Sequence, residues 1–135
     1  MQLETDEGTV LIKTPAELRD ELRRLNTRNN RAILSTGDAR YMQTAAYDNG
    51  FVIEKRNGGE NHHFHARYRG GREMLAPSRS STATQRWWWK LLGLNQRPLV
   101  ATHAFSQAEM IHVFEGYFTG APDPDFMEWV SGYAS

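Results

Sequence analysis

With 135 residues, no cysteine, and sixteen basic side chains balancing sixteen acidic ones, the chain is long enough to bury a core as one domain without disulfide staples. The same facts exclude a thiolate metal site and a cysteine nucleophile, and they leave no global electrostatic footprint for nucleic acid. No run approaches the roughly 20 apolar residues of a membrane span, and the acidic opening MQLETDEGTVLIK lacks an apolar signal segment, so the expectation is a soluble, cytoplasmic protein that engages no membrane.

Residues 9–13 read as a short strand running into Thr14-Pro15-Ala16-Glu17, a capping box with proline at the first helical position. The helix that follows is expected to reach about Asn26, with Leu18, Leu22 and Leu25 forming one apolar stripe. Residues 26–30 form a turn, and Ala32 to Thr36 a second strand ended by Gly37-Asp38.

Residues 40–69 read as three strands joined by tight turns, with Asn57-Gly58 as a hairpin signal. If those two residues are the centre of the turn, Phe51 opposes Phe64, Ile53 opposes His62 and Lys55 opposes Glu60. Val52, Glu54, Asn61, His63, His65 and Arg67 then share the other face, and the extra Gly59 leaves room for a bulge that would move the register. His62 is thereby sent toward the core, and His63 and His65 outward.

Residues 77–86 are small and polar, as in a loop. Trp87, Trp88 and Trp89 follow in succession and cannot all point one way, so they suit either a core beneath the sheet or a partner anchor. Residues 99–105 read as a strand. Ser106 and Glu109 then open a second capped helix, which carries Met110, Ile111, Phe114, Tyr117 and Phe118 on one stripe and stops at Gly120. Phe126 and Trp129 supply a lid on the core or a short last strand.

The sharpest chemical possibility is His63 with His65, which at i and i+2 project from one strand face and with Glu54 nearby could share a zinc or iron ion. The plainer reading is a polar face, and separating His62 from the pair argues against a three-histidine site. Nucleophilic catalysis lacks a Gly-x-Ser-x-Gly turn, and Gly58-Gly59 and Gly70-Gly71 read as turns rather than phosphate cradles. Basic and aromatic residues interleave at Tyr41, Arg67, Tyr68 and Arg69, but the neutral balance and the missing recognition motif speak against nucleic acid.

The capped helix from Thr14 to Leu25, the segments Tyr41 to Ala45 and Phe51 to Arg56, the Ser106 to Tyr117 helix ending at Gly120, and Trp129 near the C-terminus together resemble the small bacterial immunity proteins of polymorphic toxin systems. The resemblance implies an α+β fold, an antiparallel sheet of about five to six strands with two amphipathic helices packed on one face. It implies stoichiometric neutralisation of a cognate toxin, with no catalysis and no cofactor. Residues 73–97, tryptophans included, depart from the pattern as an insertion into what otherwise reads as a single domain over residues 1–135. Candidate partner contacts are Glu54, His63, His65, Arg67 and Arg69, with Trp87, Trp88 and Trp89 as anchors. A metal-dependent enzyme using His63 and His65, and a homodimeric structural module, are the alternatives.

Overall fold

The computed structural model describes residues 1–37, 39–58, 62–69 and 101–132. The expected insertion at 73–97 and the anchors Trp87, Trp88 and Trp89 therefore lie outside the described residues. The chain builds β1 (Gln2–Thr5), β2 (Gly8–Leu11), α1 (Pro15–Arg23), β3 (Arg31–Gly37), β4 (Arg40–Tyr47), β5 (Gly50–Asn57), β6 (His63–Tyr68), α2 (Gln107–Thr119) and β7 (Met127–Ser131). The strands form one antiparallel sheet in the order β2-β1-β3-β4-β5-β6-β7, so the class is α+β, with seven strands and two helices among the described residues. The additional strand is β1. Leu3 is its sole aliphatic position, too short an alternation to register in the sequence.

Both helices start where their caps place them. The Thr14 hydroxyl accepts from the Glu17 amide at 3.2 Å, while the Glu17 carboxylate takes the Lys13 amide. At α2 the box is complete: Ser106 Oγ accepts from the Glu109 amide and the Glu109 carboxylate from the Ser106 amide. α2 stops at Gly120, whose φ of 75° is left-handed and costs a glycine no Cβ clash. A cross-element tie joins the helices: Gln107 Nε2, in the first turn of α2, donates to the carbonyls of Leu22, Arg23 and Leu25. That contact adds a side-chain donor to carbonyls at and just beyond the C-terminal end of α1, of which Leu22 also accepts from the Leu25 amide.

The core lies between the helices and one face of the sheet. Register places Leu3, Leu34 and Met42 in line across three strands, with Ala32 and Thr44 beside them, and these pack with Leu18, Leu22, Met110, Val113 and Phe114 from the helices. Thr44 is buried there because its hydroxyl donates to the Val52 carbonyl at 2.7 Å.

The β5–β6 hairpin keeps its expected faces but not its expected register. Lys55 lies opposite Phe64 and Glu54 opposite His65. Each β5 residue thus meets a partner four positions further along than a two-residue turn would give it. Because the shift is even, Glu54, His63, His65 and Arg67 still share one face. His62 corrects the expectation: it is exposed in the connection rather than turned to the core, and its carbonyl accepts from the Asn57 amide at 3.0 Å.

The expected strand over 99–105 is also corrected. Residues Ala101–His103 form a single 3-10 turn, and Leu99 and Val100 lie outside the described residues. Phe105 alone joins the sheet, exchanging both backbone hydrogen bonds with Phe51 at 2.8 and 3.0 Å. β5 and β6 pair only from Glu54 to Arg56, and beyond that point Phe105 takes the place beside β5. The approach is tight: a Cβ on Gly50, which has a φ of 146°, would stand 2.9 Å from the Phe105 carbonyl oxygen. Tyr68 stacks on the other side of Phe105, with ring centroids 4.9 Å apart.

Candidate functional site

The face of the sheet opposite the helices is ordered by the same ladder. Strand pairings set Glu4, Ile33, Gln43, Glu54, His65 and Val130 in one row from β1 to β7, with Arg31, Ala45 and Val52 in the next. Arg31, Ile33, Gln43, Ala45, Tyr47 and Glu54 line a concavity of about 230 Å³ on this face. Ile33, Gln43, Ala45 and Tyr47 are half-buried, so the hollow is open rather than roofed.

Glu54 stands where that hollow meets a histidine cluster. Its carboxylate lies 3.0 Å from His63 Nε2, and because a carboxylate only accepts, the ring proton sits on Nε2. His65, in the Glu54 row, uses Nδ1 to donate to the Gly132 carbonyl at 2.9 Å. The His103 ring meets His65 edge-on at 4.9 Å. Burial, reinforced by the neighbouring His65 and Arg67, holds the His103 pKa below the ordinary histidine value. Further along, Arg67 Nε donates to Glu128 across the β6–β7 pair at 2.9 Å, and Arg69 reaches the Met127 carbonyl at 3.3 Å.

The expected site residues therefore divide. Glu54 is at the hollow, whereas Arg67, on β6, and Arg69, just beyond it, are exposed but do not line it. His63 and His65 are on the side opposite α1 and α2, as expected, but are only 5% and 7% exposed, so they stand behind the surface and not on it. The 3-10 turn carrying His103 packs against β6, a contact no sequence pattern announced. Among the described residues no three histidine, aspartate or glutamate side chains are grouped to hold a metal ion, and the ring nitrogens nearest that geometry are committed to Glu54 and Gly132.

Comparison with known proteins adds no relative: no family model, curated protein or solved structure matches the chain. Arg31, Ile33, Gln43 and Tyr47 were not singled out by the sequence. Their signal was the alternation in β3 and β4, where Ala32, Leu34, Met42, Thr44 and Ala46 take the core side and leave the odd positions to the hollow. What joins the two strands to Glu54 is the order of the sheet, which periodicity does not encode.

Proposed function

We propose that the chain is a non-enzymatic binding protein that neutralises a cognate bacterial toxin by stoichiometric contact, and that the face of its sheet opposite α1 and α2 is the contact surface. One observation carries the reading: the Glu54 carboxylate, fixed from behind by the buried His63, stands at the edge of an open hollow that also offers the Arg31 guanidinium, the Gln43 amide and the Tyr47 ring. A charged acceptor held in one rotamer loses little entropy on docking, which favours recognition of a folded partner. The half-buried Ile33, Ala45 and Tyr47 supply the apolar component that such an interface requires at its centre. The resemblance to polymorphic-toxin immunity proteins supplies the class of partner. Glu54, Arg67 and Arg69 act as direct contacts in this proposal, and His63 and His65 as their supports.

The test is co-expression with the toxin-like C-terminal segment of a secreted protein encoded beside this gene. Restored growth and a one-to-one complex on co-purification are expected, with both lost in the Glu54→Arg and Tyr47→Arg variants. Failure to protect against any adjacent toxin-like segment sinks the functional reading. Full protection by both variants would leave binding intact and sink the assignment of the face.

A further inference from the structure

The sheet ends on one side in β2, and all four of its residues are exposed. Val10 and Leu11, 40% and 56% exposed, are the only large apolar side chains left in solvent among the described residues. An antiparallel ladder alternates bonded and unbonded pairs, and the Ile12 amide donates to the Met1 carbonyl at 2.8 Å, so Leu3 and Val10 are the next bonded pair. Thr9 and Leu11 consequently turn their backbone amides and carbonyls to the open edge.

We propose that this edge pairs with the β2 of a second copy of the chain, antiparallel and centred on Val10. A twofold axis there places Val10 against its own copy and Thr9 against the partner's Leu11, so that the outward amides and carbonyls meet as bonded pairs. The same register brings Glu7, exposed in the turn before β2, toward the partner's Lys13, exposed after β2, and does so twice by symmetry. Charge selects this register over its neighbours. Centring on Thr9 would oppose Glu7 to Leu11, and centring on Leu11 would oppose Thr9 to Lys13, with no opposite charges matched in either. An edge this short buries less than the area of a stable dimer, so the association is weak and concentration-dependent.

Sedimentation velocity on the full chain, from about 10 µM to about 1 mM, reads it directly. The wild type should shift from monomer toward dimer across that range. Glu7→Lys and Lys13→Glu, each turning both ion pairs into like charges, should weaken association about tenfold. An equimolar mixture of the two variants should dimerise again, because it sets two lysines of one copy against two glutamates of the other. Both substitutions are at exposed positions, and thermal melts would verify that each variant is folded. A strict monomer at the highest concentration, single variants that associate like the wild type, or a mixture no better than either alone would overturn the proposal. So would a monomer that accepts an added extended peptide along β2, since the edge would then belong to a foreign strand.

Discussion

The two faces of the sheet are built from the same strands with opposite chemistry. On the helix side Leu3, Leu34, Met42, Ile53 and Met127 are essentially without exposure against Leu18, Leu22, Met110 and Phe114. On the other side burial is reached by pairing, with His63 bonded to Glu54 and His65 to the Gly132 carbonyl. The first face is stabilised by apolar area and dispersion, which tolerate no missing volume. The second is held by directional bonds whose loss strands a polar group. Substitutions on the two faces should therefore fail for different reasons and by different amounts.

The largest effect should come from the helix side. Phe114→Ala removes a fully buried ring and should cost about 3 to 5 kcal/mol in urea denaturation. A loss under about 1 kcal/mol would mean that the helices do not carry the core. His63→Ala should come next, at about 2 kcal/mol, because Glu54 keeps its carboxylate and loses its donor. Replacing Glu54 and His63 together should cost less than the two single losses added, which a double-mutant cycle would measure. Gln107→Leu, which leaves three carbonyls at the end of α1 without their shared donor, should cost about 1 kcal/mol in the same assay.

A smaller effect should follow pH. His103 has a depressed pKa in the folded state, so the unfolded chain takes up its proton first as pH falls. Its contribution is complete above the ordinary histidine value of about 6.5 and is progressively lost below it. Thermal melts from neutral pH down to about 5 should show a fall that His103→Gln reduces. The smallest effect sharpens the contrast between faces: Tyr47→Ala, half-buried in the hollow, should change stability by no more than about 0.5 kcal/mol, while the proposed toxin contact weakens.

Local signals in the chain located both helices, their caps and the division of β5 and β6 between faces. Thr14, Ser106 and Gly120 announce helix ends because capping is a contact between near neighbours. The shared face of Glu54, His63, His65 and Arg67 survived a four-residue register error because a shift by an even number leaves faces unchanged. What escaped depends on remote meetings. Burial of His63 and His65 cannot be read from alternation, and the 3-10 turn ending at His103 packs on β6 from more than thirty positions away. The hollow escaped for the same cause, since three strands have to be set side by side before Arg31, Gln43 and Glu54 become neighbours.

The wedge made by Phe105 has a consequence for how the protein can change. Tyr68, at the end of β6, stacks on the ring of Phe105, and Phe105 is bonded to Phe51 through both backbone groups. The end of β6 and the residues just before α2 are thus fastened to each other beside β5. Gly50 guards that fastening, because any side chain there would strike the Phe105 carbonyl. The entry to α2 is accordingly set by the sheet itself, so a displacement of Phe105 would be felt at Phe51 and Tyr68 together.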